Sequence, residues 1–170
     1  MPGLPGRECL MVIKFRVDGE PAQKGSMSAF PIMNKNTGKP VLNDKGIPMI
    51  NVTDNSKKTK PWQRQVALEA QKNRPEKLLE GPVVMVLKFY FERPKSVSEK
   101  KRPYPIVYPD LDKLIRAIGD ALTGKIYSDD AQVVDIISRK RYGEAGVEIE
   151  VWEITPETDP DGGPIQGQLF

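Results

Sequence analysis

The stretch Val83–Phe91 is the segment of this sequence that most constrains the fold. Apart from Lys88, every residue in it is hydrophobic, and it is bounded by Gly81-Pro82 on one side and Arg93-Pro94 on the other. A short, nearly continuous apolar run between turn residues is typical of a strand buried on both faces. We therefore expect this segment to be a central strand of the sheet.

The remaining periodic segments are arranged around this strand. Leu and Ile recur on one face of 111–122, which predicts an amphipathic helix. A second helix is predicted over 51–74, after Asp54 or Ser56 as the N-cap. Residues 22–48 are rich in Lys, Asn, Gly and Pro and predict a long loop with one short strand near 29–33. Strands are predicted at 12–17, 132–140 and 147–154. These elements predict an α+β fold, a mixed sheet with two main helices packed on one face.

The two ends of the chain differ in composition from its middle. Residues 1–10 are interpreted as a disordered leader, 11–154 as one domain and 155–170 as a flexible acidic tail. The formal net charge is +3, and the three acidic residues of that tail leave +6 on the rest. A basic body is compatible with a polyanionic partner.

Residue types that are absent exclude several kinds of chemistry. There is no histidine, which excludes Ser-His-Asp and Cys-His catalysis and zinc held by His. The single cysteine, Cys9, leaves no internal disulfide. No apolar run reaches the roughly 20 residues of a membrane span, and the N-terminus lacks a secretory signal. We therefore expect a cytoplasmic protein.

The helix at 111–122 carries a polar face opposite its leucines. With Asp110 as N-cap, this face includes Asp112, Arg116, Gly119 and Asp120. A glycine there would let a bulky group approach the backbone. The plain alternative is that both aspartates favour the helix N-terminus and that Asp112 and Arg116 form a surface ion pair.

A second acidic site, Asp129-Asp130, follows this helix after a short loop. Asp130 is expected to lie beside the start of the helix, close to Asp110 and Asp112. Clustered carboxylates resist joint ionisation unless a cation neutralises them, and Mg²⁺ prefers such hard oxygen ligands. The alternative interpretation is an ordinary polar turn, Tyr127-Ser128-Asp129-Asp130.

Two segments, 108–122 and 126–135, resemble the RusA family of Holliday-junction resolvases. The family has an Asp-Leu-Asp-Asn-Leu-x-Lys helix followed by an Asp-Asp-Ala/Ser-Gln segment, and both occur here with their spacing kept. A looser match covers 11–154, including a Gly-x-Pro-x-x-Lys-Gly turn at 19–25. Lys113 stands where the family has Asn, and Arg116 stands where the family has the helix lysine. Arg116 keeps the positive charge but carries it on a planar guanidinium group.

The resemblance implies a Mg²⁺-dependent endonuclease, with Mn²⁺ as an alternative ion. Its metal-binding aspartates map onto Asp110, Asp112 and Asp130, and Arg116 would stabilise charge on the phosphate. It also implies a homodimer that makes paired nicks in four-way or related branched DNA during recombination and repair. Nucleases this small are common in phage.

Basic residues around these segments are candidate contacts to DNA phosphates, since junctions are recognised by shape. Lys24 and Lys35 are weaker candidates, and each residue alone could equally be a solvated surface charge. The candidates are Lys57, Lys58, Lys60, Arg93, Lys95, Lys100, Lys101, Arg102, Lys113, Arg139, Lys140 and Arg141.

The last five residues, with Gln166, Leu169 and Phe170, resemble the short peptide that docks bacterial DNA-processing proteins on the sliding clamp. A chance match is the alternative.

Two rival functions stay open. The first is a branched-DNA-binding or clamp-docking adaptor with the same fold and weakened catalysis. The second is a structural α+β protein with surface aspartates that binds neither DNA nor metal.

Overall fold

A computed structural model describes residues 11–25, 27–54 and 57–155. The leader at 1–10 and residues 156–170 of the acidic tail lie outside the described residues. The elements, in chain order, are β1 (Ile13–Asp18), β2 (Met27–Pro31), β3 (Ile50–Asp54), α1 (Thr59–Lys72), β4 (Val83–Phe91), α2 (Leu111–Leu122), a single 3-10 turn (Asp130–Gln132), β5 (Val133–Tyr142) and β6 (Gly146–Glu153).

The main sheet has four strands in the order β1-β6-β4-β5. β4 pairs in parallel with β5 on one side and antiparallel with β6 on the other. The central position expected for Val83–Phe91 is thereby confirmed. β5 and β6 are joined by a three-residue turn, yet they lie on opposite sides of β4 and do not form a hairpin with each other.

Both helices pack on one face of this sheet, so the expected α+β arrangement is confirmed. The main core joins alternate residues of β4, such as Met85 and Leu87, to Trp62 and Val66 of α1 and Ile118 of α2. The intervening residues point to the other face, where Val84, Val86 and Trp152 form a smaller buried cluster. Because both faces of β4 are buried, its sequence is apolar almost throughout.

Residues 27–54 form a second, two-stranded sheet that we call the arm. Pairing runs from Met27 opposite Asp54 to Pro31 opposite Ile50. Beyond these strands the chain makes two further turns, and isolated bridges join Met33 to Pro40 and Leu42 to Pro48. The predicted strand near 29–33 is therefore present, but the segment expected to be a loop is a compact β-meander.

Helix α1 begins at Thr59, with Lys58 as N-cap, and not after Asp54 or Ser56 as the sequence predicted. Two constraints account for the late start. Residues 51–54 pair with β2 as a strand. Pro61 lacks an N–H and is tolerated only in the first turn of a helix, which confines the start to the residues just before it.

No helix among the described residues has the length and apolar character needed to cross a bilayer.

The packing of α2 predicts which substitutions unfold the chain. Ile118 is fully buried between α2 and the sheet, whereas Leu68, on α1, is 65% exposed. Ile118→Ala should lower the free energy of unfolding by about 2–5 kcal/mol because it leaves a cavity. Leu68→Ala should change it by less than about 0.5 kcal/mol. Urea denaturation followed by circular dichroism measures both, and equal losses would contradict the assigned core.

Candidate active site

The N-terminal end of α2 is fixed by a residue from the start of the chain. Asp110 has extended backbone angles, and its N–H donates to the Oε1 of Gln23, which is 5% exposed. The Asp110 carboxylate does not cap the helix. It pairs instead with Lys113, whose Nζ lies 2.8 Å from Oδ2. This hydrogen bond and the negative charge of Asp110 raise the pKa of Lys113.

The segment Gln23–Lys24 runs alongside α2 and joins it to α1. The Gln23 carbonyl accepts a hydrogen bond from the Thr59 hydroxyl at 2.6 Å. The Lys24 N–H donates to the Lys113 carbonyl at 3.1 Å. The Lys24 side chain reaches further along the helix, to within 2.5 Å of Asp120 Oδ2. The two residues therefore bond to the first and the last turns of α2.

A cavity of about 410 Å³ lies between α2 and the beginnings of β4 and β5. Its charged lining consists of Lys24, Arg116, Asp120 and Asp130, so two cations face two carboxylates. Gly119, which was expected to let a bulky group approach the helix backbone, also borders the cavity. The cavity is therefore a polar recess that brings Arg116 and Asp130 together.

The two neighbouring aspartates after α2 have different surroundings. Asp129 caps the 3-10 turn, because its Oδ1 accepts the Ala131 N–H at 2.8 Å and its own N–H donates to Gln132 Oε1. Gln132 in turn donates to the carbonyls of Leu79 and Gly81, which ties this turn to the segment before β4. Asp130 is exposed and lines the cavity. Only Asp130 of the two is thus available to a ligand there.

The three aspartates do not gather into one cluster within the described chain. Among residues 11–25, 27–54 and 57–155, no group of three Asp, Glu, Cys or His side chains is arranged to hold a metal ion. Asp130 precedes Val133, which pairs with Val83 at the start of β4. Asp110 follows Pro109, and the Pro109 carbonyl accepts a hydrogen bond from Lys140. Lys140 pairs with Phe89, near the end of β4. Roughly 20 Å of strand separates these two levels.

The expectation that Asp130 lies beside the start of α2 therefore does not hold in this structure. A parallel strand pair needs a crossover, and its helix runs from the end of the first strand back to the start of the second. The start of α2 and the start of β5 consequently lie at opposite ends of the sheet. The carboxylates are donors of the kind that Mg²⁺ prefers, although no three of them are grouped around one point within the described chain.

A groove of about 210 Å³ lies on the other side of the α2 N-terminus. Three candidate DNA-contacting cations line it: Lys58, Arg102 and Lys140. Lys140 Nζ donates to the carbonyls of Val107 and Pro109, each at 2.7 Å, and burial lowers its pKa, although Asp110 acts in the opposite sense. Lys140 therefore holds the segment that leads into Asp110.

Several other candidates have roles in the fold. Arg93 stacks on Tyr142, with 4.0 Å from its guanidinium carbon to the ring centroid, and donates to the Arg102 carbonyl. It therefore closes the basic loop 94–103. Arg141 lies over Tyr104. The candidates with exposed positions are Lys57, Lys58, Lys60, Lys95, Lys100, Lys101 and Arg141, while Arg93, Arg102, Lys113, Arg139 and Lys140 are partly buried. Gln166, Leu169 and Phe170 lie outside the described residues.

Sequence reasoning missed two residues that shape the site, Gln23 and Gln63, whereas Asp120 was expected on the polar face of the helix. Gln63 Nε2 lies 3.2 Å from Asp120 Oδ2, so Gln63 and Lys24 both bind the same oxygen of this carboxylate. The turn at 19–25 was noted only as part of a family pattern, and it contains both Gln23 and Lys24. That pattern was the one available signal for Gln23, whereas Lys24 was also a weak candidate for a DNA contact.

Comparison with known proteins identifies the family of this chain. The family model described as endodeoxyribonuclease RusA matches residues 34–152. An uncharacterized Bacillus subtilis protein, YqaN, is 35% identical over 153 residues, which cover 84% of this chain and 97% of that protein. The family match spans α2, the 3-10 turn and every lining residue of the cavity except Lys24. The chain therefore belongs to the RusA family of endodeoxyribonucleases, the Holliday-junction resolvases.

Proposed function

We propose that this protein is a Mg²⁺-dependent endonuclease, with Mn²⁺ as an alternative ion, that resolves four-way and related branched DNA by paired phosphodiester hydrolysis. Asp110, Asp112 and Asp130 are its proposed metal-binding residues, and Arg116 is its proposed phosphate-binding residue. The proposal places the protein in DNA recombination and repair.

The observation that carries the proposal is the shared cavity beside α2. Arg116 comes from the helix and Asp130 from the turn after it, and both face the same recess with Lys24. Asp112 lies on the same helix face as Arg116, one turn nearer the N-terminus. The family resemblance implies the same order along the chain: an aspartate, a basic residue one helical turn later, and a further aspartate after the helix.

The two cations that line this cavity, Arg116 and Lys24, are suited to binding phosphate. Arg116 is exposed, and its planar guanidinium can bind two oxygens of one phosphate. Lys24 supplies a point charge next to it but is engaged by Asp120. Because a guanidinium stays protonated at any ordinary pH, Arg116 can bind and orient a phosphate but cannot donate a proton to it.

A second candidate function is a branched-DNA-binding or clamp-docking adaptor with weakened catalysis. The specific observation in its favour is that the described residues show no three-carboxylate group suited to a metal. Two finer expectations also stay predictions: that the protein is a homodimer, and that Gln166, Leu169 and Phe170 dock on a sliding clamp.

A synthetic four-way junction distinguishes the two functions. We expect symmetric paired nicks in the presence of Mg²⁺ and none when EDTA is added. Asp112→Asn should abolish cleavage and retain binding, because it removes the charge and keeps the shape. Gel analysis of end-labelled strands measures cleavage, and mobility shift measures binding. Tight binding without cleavage in either Mg²⁺ or Mn²⁺ would establish the adaptor instead.

The adjacent aspartates allow a matched pair of variants. Asp130→Asn should slow junction cleavage by at least about 100-fold, since it removes a charge that faces the cavity. Asp129→Asn should stay within about 3-fold of wild type, because Asn caps the 3-10 turn as well as Asp does. Single-turnover rates measure both. Equal losses would indicate that the turn matters only for folding.

The exposed lysines of the basic loop predict a salt effect. Substituting Lys100 and Lys101 by Met should weaken binding to all DNA and lower the slope of log affinity against log salt by about 2. The Arg variants at the same positions should keep the wild-type slope, because they keep the charge. Fluorescence anisotropy between low and moderate salt measures it, and an unchanged slope would remove these two lysines from the interface.

A further inference from the structure

A second recess lies between α1 and the C-terminal end of α2, and we call it the seam. Its volume is about 400 Å³, and its charged lining consists of Lys60 and Arg64 from α1, Lys125 from the loop after α2, and Asp120. Three cations and one carboxylate give this lining a net charge of +2. The cavity beside Arg116 has two cations and two carboxylates, so its lining is neutral. The seam is therefore a positive site that is distinct from the cavity.

The three cations of the seam have no counter-charge of their own. In the part of the chain that the structure describes, their side chains form no ion pair and no hydrogen bond. Asp120 does not neutralise them, because its carboxylate is bound by Lys24 and Gln63. Further along α1 a lysine is paired, since Lys72 Nζ lies 2.5 Å from Glu69 Oε1. The seam is thus a place where positive charge is gathered and left unpaired.

The positions of Lys60 and Arg64 are unfavourable for α1 by itself. The two residues are four apart, so they lie on one face, and like charges at this spacing destabilise a helix. Lys60 is also in the first turn, where the helix dipole favours negative charge, and that turn contains no acidic residue. An anion bound beside these side chains would offset both effects, because helix N-termini and cations attract it together.

The seam adjoins the cavity through Asp120, which lines both. Arg116 lines the cavity and Thr123 lines the seam, and along α2 they are seven residues apart, which is roughly 10 Å of helix axis. One strand of duplex DNA carries a phosphate about every 3.4 Å along its axis. A strand whose phosphate is bound at Arg116 can therefore reach the seam about three phosphates further on.

We propose that the seam is a second phosphate-binding site, in which Lys60, Arg64 and Lys125 hold the DNA strand about three phosphates from the one bound at Arg116. The planar guanidinium of Arg64 can bind two oxygens of one phosphate, and the lysines add point charges. Because the seam continues the cavity, its occupant is the DNA backbone and not an acidic peptide of another protein. The inference rests on the proposed function, since it takes the substrate to be DNA, but it does not rest on the metal or the carboxylates.

Binding to a synthetic four-way junction, measured by fluorescence anisotropy in EDTA, tests the charge of the seam. Arg64→Met/Lys125→Met should weaken binding roughly 10-fold at low salt and lower the slope of log affinity against log salt by about 2. Lys72→Met/Lys77→Met removes the same charge from lysines that are paired with glutamates, and it should leave both quantities unchanged. Arg64→Lys/Lys125→Arg keeps the charge and should keep the wild-type slope.

Junctions that carry one neutral methylphosphonate each locate the contacts along the strand. Wild-type binding should weaken where the replaced phosphate is held by the protein, and a variant that lacks the contact should be insensitive to the same replacement. Arg116→Met identifies the phosphate bound at Arg116 in this way. The phosphates to which Arg64→Met/Lys125→Met is insensitive should lie about three positions further along the same strand.

The outcomes separate the seam from the proposed function. If the double-methionine variant at Arg64 and Lys125 binds junctions as tightly as wild type, or senses every phosphate that wild type senses, the seam proposal is wrong and the proposed function stands. A wild-type protein that binds no junction would overturn both. Circular dichroism checks that the variants are folded. Because Arg64 is exposed, Arg64→Met alone provides the same test, with about half the change in slope, should the double variant unfold.

Discussion

The parallel pairing of β4 with β5 is the constraint on which the rest of this molecule depends. It requires a crossover, and the crossover contains the basic loop, α2 and the 3-10 turn. The crossover also contains the four proposed metal- and phosphate-binding residues, Asp110, Asp112, Arg116 and Asp130. The same topology places the start of α2 and the start of β5 at opposite ends of the sheet. The pairing therefore both assembles the site and separates its acidic groups.

Within that frame, the amide of Gln23, which is buried, and that of Gln132, which is partly buried, set the position of α2. Gln23 accepts the Asp110 N–H and, through its carbonyl, the hydroxyl of Thr59. Gln132 joins the 3-10 turn to the two carbonyls before β4. A buried amide that lost its partners would cost about 1–3 kcal/mol, so these bonds fix the geometry strongly. Both ends of the crossover are thereby attached to segments far away in the sequence.

The sequence predicted local elements better than it predicted distant contacts. β4 and α2 were found with correct bounds because periodicity and turn residues define them locally. The start of α1 was misplaced because the pairing of Asn51–Asp54 with β2 is a tertiary choice that overrides helix propensity. The arm was expected to be a loop because residues 22–48 are rich in Lys, Asn, Gly and Pro, and apolar residues on both of its faces hide the alternation that marks a strand. Lys24 and Asp120, 96 residues apart, meet only in the folded chain.

The position of β6 has a consequence for how this chain is made. β6 lies between β1 and β4, so the first strand has no neighbour in the sheet until the last one is present. A ribosome must therefore release nearly the whole domain before the sheet can close, and until then β1 and one edge of β4 stay open. Contacts between residues this far apart in the sequence slow folding, and they prolong the time for which unpaired strand edges are accessible to other chains. Chains interrupted before residue 146 would be expected to depend on chaperones or to be degraded.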